Sequence, residues 1–396
     1  MADLANPTPP TTIAVYEFLA ALAVMQGVAL LVLMARLAPG RTRRPPVPPL
    51  PAGGPVGGLT ILLPSYNEAA RIRPCLEGLL RQGPAVERIL VIDSHSADGT
   101  ADVVREFQAR DPRLVLLHDP PLPAGWVGKA WALQFGTEQA TTPYVLGVDA
   151  DIVPVPGMAD AILALAQRED YDVLSFSPRF RIPTAAERWL QPALLTTLVY
   201  RTGAAGERQP DPERIAANGQ CMLFRREVIL REGYNVVAGS FAEDVAIARQ
   251  LARQGAKVGF LDGSALYTVR SYETAAQAWR EWGRSLDLKD ARSRVGQAWD
   301  VAHLWLAQAA PWIVLPLLLL LPWPTEWPAE ARRALLWVNG LLLGIRLLLL
   351  LATRASYERT DLPYWLSPLA DPLAALRITL SSLRRPTQWR GRVYAR

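Results

Sequence analysis

The stretch Tyr144-Val-Leu-Gly-Val-Asp149-Ala-Asp151 decides how the rest of the chain is read. Strand-forming apolar residues lead straight into two carboxylates one residue apart. Such runs form buried strands of parallel sheets, and ligands of open α/β sheets gather at the carboxyl ends of those strands. Asp149 and Asp151 would stand at that edge. Two hard oxygen ligands there suit a divalent cation, Mg²⁺ or Mn²⁺, that keeps several waters and borrows phosphate oxygens from its substrate. A solvated turn after a strand is the plainer alternative.

Upstream, Leu59-Thr-Ile-Leu-Leu63 reads as a first strand ending on Pro64-Ser-Tyr66-Asn-Glu68. The spacing of Ile72, Leu76, Leu79 and Leu80 predicts a helix over 69–81. A second strand, Arg88-Ile-Leu-Val-Ile92, ends on Asp93-Ser-His95-Ser-Ala-Asp98-Gly-Thr100. A helix over 101–110 and a strand over 114–117 complete two β-α-β units. This alternation argues for a parallel sheet with a nucleotide-sized crevice at its carboxyl edge. Asp93 is placed to accept hydrogen bonds from a ribose or base N–H, or else to cap a turn. Gly128-Lys129 at a helix start can meet a diphosphate with backbone N–H groups and an ammonium together, or Lys129 is simply solvated; the spacing is not that of a P-loop.

Half of the 396 residues are hydrophobic, and mean hydropathy is slightly positive at +0.10. The apolar excess collects near the N-terminus and beyond residue 300, as membrane attachment requires. Net charge is +5, with Arg far outnumbering Lys and clustered beside the apolar segments, a membrane-topology signal rather than a nucleic-acid surface. Cys75 and Cys221 stand far apart, without Cys or His partners at metal spacing, which speaks against a disulfide scaffold or zinc site.

Taken together, Pro64-Ser-Tyr-Asn-Glu68, Asp93 with Asp98-Gly-Thr100, Gly128-Lys129 and Asp149-Ala-Asp151 resemble the family 2 glycosyltransferases, in the family's order and approximate spacing. The resemblance covers roughly residues 59–295. It implies an α/β GT-A (Rossmann-like) nucleotide-sugar-binding domain with a mixed, mostly parallel sheet, and transmembrane helices at both ends. It implies a nucleotide-sugar donor, a UDP-sugar first, held by Pro64, Tyr66, Glu68, Asp93, Lys129 and Asp149, with Asp149 and Asp151 on the metal. Asn218-Gly219-Gln220-Cys221 resembles the segment that lines the acceptor pocket. Glu243-Asp244 matches the catalytic element, whose Asp is the general base; by itself the pair is also an acidic first turn favoured by the helix dipole. In Gln277-Ala-Trp-Arg280-Glu-Trp282-Gly-Arg284 the (Gln/Arg)-x-x-Arg-Trp motif is met by Gln277 and Arg280, but Trp282 stands one residue late. The motif places Arg280 or Arg284 near the leaving diphosphate and Trp282 on the acceptor side, and its irregularity argues against processive synthesis.

The domain reading follows. Residues 1–36 are an N-terminal anchor built on the apolar run Ile13–Ala35, and 37–58 a stiff Pro/Gly linker. Residues 59–295 are the catalytic domain, and 296–396 a C-terminal membrane region. Spans are expected at 301–321 and 334–352, with 362–383, interrupted by Pro363, Pro368 and Pro372, in-plane or re-entrant. Arg36, Arg41, Arg43 and Arg44 put the catalytic domain in the cytoplasm of a multi-pass protein of the cell's inner (plasma) membrane. The 185–199 helix is read as lying on the membrane surface rather than in a core. The Trp-x-Gly-Lys element and the ending Trp389-Arg-Gly-Arg-Val-Tyr394 resemble the branch that glycosylates carotenoids, hopanoids and ceramide-like lipids. A lipid acceptor, a carotenoid hydroxyl first, is therefore expected, with the bilayer as partner and no nucleic acid. A ceramide-type glucosyltransferase, a processive polysaccharide synthase and a non-catalytic membrane scaffold are the alternatives.

Overall fold

A computed structural model describes residues 10–206, 211–270, 272, 274–286, 292–324, 329–383, 388–389 and 392–393, with side chains from residue 14 to 383 except 282–285. The strands are β1 (Leu59–Ser65), β2 (Val86–Asp93), β3 (Leu114–His118), β4 (Tyr144–Val148), β5 (Ile152–Pro154), β6 (Val173–Ser177), β7 (Arg179–Phe180), β8 (Cys221–Arg225), β9 (Val258–Asp262) and β10 (Tyr267–Val269). Seven form one sheet in the order β3-β2-β1-β4-β8-β6-β9. Only β8 runs against its neighbours β4 and β6; the other pairs are parallel. β5, β10 and β7 make a small second sheet.

Both faces of the large sheet are covered, which is why its strands are apolar without alternation. Ile61, Leu63, Ile89, Val91, Leu146 and Val148 point into one core. Leu62, Leu90, Ile92 and Val145 point into the other. The helix Gly128–Gln139 lies close on the second face. A Cβ at Gly136 would come within 2.9 Å of Ile92 Cδ1 and 3.2 Å of Leu62 Cδ2. The buried Thr60 hydroxyl is satisfied by Thr142 at 2.7 Å. The Pro/Gly linker runs extended along the domain, where Val47 N–H donates to Asp262 O at 2.9 Å and Leu50 N–H to Gly157 O at 3.0 Å.

Among the described residues, two helices are long and apolar enough to cross a membrane, within Ala14–Thr42 and Ala329–Ser356. A third candidate, Arg294–Ala309 with Pro311–Leu320, bends by 41° after a π-helical turn at Trp305–Ala309. Proline at 311 cannot donate the next helical hydrogen bond, so the chain turns there. The first two helices are joined by a reciprocal amide pair: Gln26 Nε2 donates to Asn339 Oδ1 and Asn339 Nδ2 to Gln26 Oε1, each at 2.8 Å. Polar contacts of this kind join helices where lipid offers no hydrogen bond.

Segment 362–383 packs as short helical pieces, ending in the helix Asp371–Leu383. Asp371 accepts from Arg346 Nε at 2.7 Å and Nη2 at 3.1 Å, and from Gln308 Nε2 at 3.0 Å. The helix Ala185–Thr202 is a packed helix, buried along most of its length, which corrects the expectation of a membrane-surface helix. Its mixed faces are satisfied on one side by the segment 362–383 and on the other by a cavity. At the C-terminus Gln388–Trp389 pairs antiparallel with Arg392–Val393.

Breaking the Arg346–Asp371 pair by Asp371→Ala leaves a buried guanidinium and should cost about 3–5 kcal/mol, whereas Arg346→Leu with Asp371→Leu should recover most of it. Thermal unfolding of the detergent-solubilised variants checks this; equal losses in both would contradict it.

Candidate functional site

The acids converge because of how β4 meets β8. β4 ends at Val148, and Asp149 N–H donates to Gln220 O at 3.1 Å. The antiparallel entry of β8 thus sets Asp149 against Gly219-Gln220. From the helix Gly128–Gln139, Lys129 reaches into this corner. Its ammonium lies 2.8 Å from Asp149 Oδ1 and 3.0 Å from Glu243 Oε1, with Gly219 O at 3.5 Å. The helix Glu243–Arg253 opens on the other side. Asp244 Oδ2 accepts from Gly219 N–H at 2.7 Å and Oδ1 from Val245 N–H at 2.8 Å, which fixes the carboxylate. A Cβ at 219 would lie 3.0 Å from Lys129 Nζ, 3.2 Å from Asp244 Cβ and 3.3 Å from Glu243 Oε1. Glycine there is what lets the three side chains meet.

Charge shapes this corner. Burial by itself would lower the Lys129 pKa, but the carboxylates of Asp149 and Glu243 outweigh it and hold it well above the ordinary lysine value. Burial raises Glu243 and Asp244; Lys129 opposes the rise in both, and the N–H groups of Gly219 and Val245 oppose it in Asp244. Burial and then Asp149 push Asp151 up to about 7, against the pull of Arg71 and Lys129.

Asp151 Oδ1 is buried with no hydrogen-bond partner. That orphaned oxygen beside Asp149 fits a divalent cation, which Asp149 and Asp151 would hold, with Lys129 giving up or sharing its contact. Among the described residues no group of three or more His, Cys, Asp or Glu side chains is spaced for a metal ion. The remaining ligands would therefore come from substrate and water, as hard cations on phosphate sites allow.

A cavity of about 280 Å³ opens from these acids. Lys129, Asp149, Asp151, Gly219, Gln220, Glu243 and Asp244 line its polar end. Leu195, Leu198 and Val199 of the helix Ala185–Thr202, with Phe241 and Leu286, line its apolar part. Thr353 and Ser356, at the end of the second apolar helix, line it too.

Other expected residues sit elsewhere. Pro64 and Tyr66 lie at the end of β1, half-buried. Glu68 is fully buried and paired with Arg71, whose Nη2 is 3.2 Å from Glu68 Oε1; Arg71 rather than Glu68 lines the cavity. Asp98 and Thr100 tie the two loops together: Ala69 N–H donates to Asp98 Oδ2 at 3.0 Å and Glu68 N–H to Thr100 Oγ1 at 2.8 Å. Asp93 ends β2 buried, accepting from Ser96 N–H at 3.2 Å, with His118 Nδ1 at 3.5 Å. It lies outside the cavity lining. Arg280 is exposed and likewise outside the lining, which receives Glu281 and Tyr272 from that region. The side chains of Trp282 and Arg284 lie outside the described residues. Arg43, read from sequence as a topology signal only, lines the cavity and pairs with Asp262. Arg71 had a signal, its place three residues after Glu68; Arg43 had none.

Residues 60–231 match the family model described as Glycosyl transferase family 2, and this segment is a domain of that family with the GT-A fold. The chain is 26% identical to the uncharacterized glycosyltransferase YibD of Escherichia coli (strain K12), over 47% of this chain and 54% of that one. It is 23% identical to the 4,4'-diaponeurosporenoate glycosyltransferase of Staphylococcus haemolyticus, over 58% and 60%. The chain thus spans little more than half the length of these relatives. The mannosyltransferase PcManGT from Pyrobaculum calidifontis, solved in complex with GDP-Man and Mn²⁺, shares the fold, with a TM-score of 0.51 at 23% identity over 91% of this chain and 99% of that one.

Because the Asp151 pKa is raised above its unfolded value, its contribution to stability is present below about pH 4 and is lost as pH rises through about 7. Mn²⁺ should therefore raise the unfolding midpoint more at pH 8 than at pH 5.5, and Asp151→Asn should flatten that dependence. An equal Mn²⁺ effect at both pH values would contradict the assignment.

Proposed function

We propose that this chain is a membrane-anchored, inverting glycosyltransferase that moves one sugar from a nucleotide-sugar donor to a hydroxyl of a lipid. One observation carries this reading: a single cavity joins the Lys129–Asp149–Asp244 corner to an apolar wall and to the end of a membrane-length helix. A soluble acceptor needs no such wall. A lipid held in the bilayer reaches a tethered domain at high effective concentration. The arginines after the first apolar helix support a catalytic domain on the cytoplasmic side of the inner membrane. A carotenoid or other isoprenoid acceptor is favoured, in line with the similarity to the Staphylococcus relative.

The residues divide the work. Lys129 meets the diphosphate with its ammonium, and Arg71 adds a second cation at the same end. The nucleoside would extend beyond the cavity toward Asp93 at the end of β2. Asp244, fixed by two backbone N–H groups and raised in pKa by burial, takes the proton of the attacking hydroxyl. The new bond forms from that oxygen to the anomeric carbon while the bond to the diphosphate breaks on the opposite face, so configuration inverts in one displacement. A bound Mg²⁺ or Mn²⁺ would neutralise charge gathering on the departing diphosphate.

Asp244→Asn should lower transfer by roughly 10²–10⁴-fold while leaving donor binding, read by calorimetry, nearly intact. Leu198→Glu should instead reduce acceptor use with donor binding unchanged. Near-normal turnover in Asp244→Asn would remove the base assignment, and normal transfer in Leu198→Glu would remove the lipid path.

A further inference from the structure

A second groove of about 700 Å³ shares no lining residue with the cavity. Arg249, Arg253, Arg292, Gln250 and Glu213 line it, facing the loop 235–240. Three arginines and one acid are in its lining, and Gln250 Nε2 also donates to Glu232 Oε2 at 3.4 Å. Arg253 Nε binds Glu213 Oε1 at 3.1 Å, and Arg292 Nη1 lies 2.7 Å from Asp300 Oδ2. Arg214, next along the chain from Glu213 but outside the groove's lining, keeps its Nε and Nη2 buried with no hydrogen-bond partner. Burial, and then Arg292, push the Arg249 pKa down to about 10, while its Nε donates to Ile215 O at 3.0 Å.

The groove also has a defined place. Ser293, in its wall, caps the helix Arg294–Leu304 that starts the bent membrane-length pair. Asp300 of that helix lies 3.9 Å from Arg36, near the end of the first apolar helix. Val236, in the groove wall, and two residues of the helix that Ser293 caps, Val295 and Trp299, are exposed at 49%, 80% and 43%. Arginines framed by exposed apolar residues and a tryptophan are what a membrane–water boundary selects. Guanidinium groups pair with phosphate oxygens in a fork that a point charge cannot match.

We propose that this groove holds the phosphate of an anionic membrane lipid headgroup, docking the catalytic domain on the leaflet. The proposal rests on membrane attachment and is independent of sugar transfer. Free phosphate offers the same oxygens, but the exposed Val236, Val295 and Trp299 favour a headgroup whose acyl chains lie alongside.

The test uses the full chain in neutral detergent, titrated separately with short-chain phosphatidylglycerol, short-chain phosphatidylcholine and inorganic phosphate, reading the unfolding midpoint. Phosphatidylglycerol should raise it saturably, and the other two should not at the same concentrations. Val236→Glu, on an exposed site where folding is little affected, should weaken the phosphatidylglycerol effect about fivefold, and Val236→Lys should keep or strengthen it. Arg253→Gln should weaken it as well. An equal rise with phosphatidylcholine, a rise with inorganic phosphate alone, or Val236→Glu titrating like wild type would each overturn the proposal.

Discussion

The Lys129 ammonium, seated between Asp149 and Glu243, is the contact on which the site depends. Several carboxylates gathered away from water repel one another and lose hydration, a cost of several kcal/mol per buried ion. Lys129 offsets that for Asp149, Glu243 and Asp244 together, which its strongly raised pKa reflects. It also spans the two halves of the site, with Asp149 after β4 on one side and Glu243 of the helix Glu243–Arg253 on the other. Asp151 lies at the margin of this compensation. Its orphaned oxygen and near-neutral pKa mark where a further positive charge would be stabilised.

The sheet determines that these groups meet. Parallel β1, β2 and β4 deliver their carboxyl ends to one edge, and the single antiparallel strand β8 brings Gly219-Gln220 back to it. The helix Ala185–Thr202 then closes the acceptor side, because the buried pair Arg346–Asp371 and the Gln308 contact to Ala193 O at 3.0 Å hold the membrane segments against it. The polar end of the cavity and its apolar part are consequences of one packing arrangement.

Much of this was legible in the sequence because local signals agree. The apolar runs at Leu59–Leu63, 88–92 and 144–148 are the strands β1, β2 and β4, give or take their ends, and both core faces explain their unbroken hydrophobicity. Of the acids singled out from sequence, Asp149 and Glu243 contact Lys129, and Asp151 and Asp244 line the same cavity. What escaped depends on long-range contact. Nothing near Arg43 reveals that the linker carries it to Asp262 and the cavity. The short strands β5, β7 and β10 have too few residues for a period to register. The helix Ala185–Thr202 shows apolar residues and charges that suit a membrane surface equally well, and only its neighbours decide that it is packed. Gln26 and Arg346 interrupt apolar runs; their partners, Asn339 and Asp371, lie far away in sequence or across a proline-broken segment.

The most direct measurement follows the sugar. Membranes carrying the wild-type chain or Asp244→Asn would be given a panel of radiolabelled nucleotide sugars with Mg²⁺ or Mn²⁺ and a lipid-rich extract, and label counted after organic extraction. Label entering the organic phase from one donor, and dependent on Asp244, is the predicted result. Label collecting in water-soluble or insoluble polymer, or no transfer from any donor, would contradict single-sugar transfer to a membrane lipid.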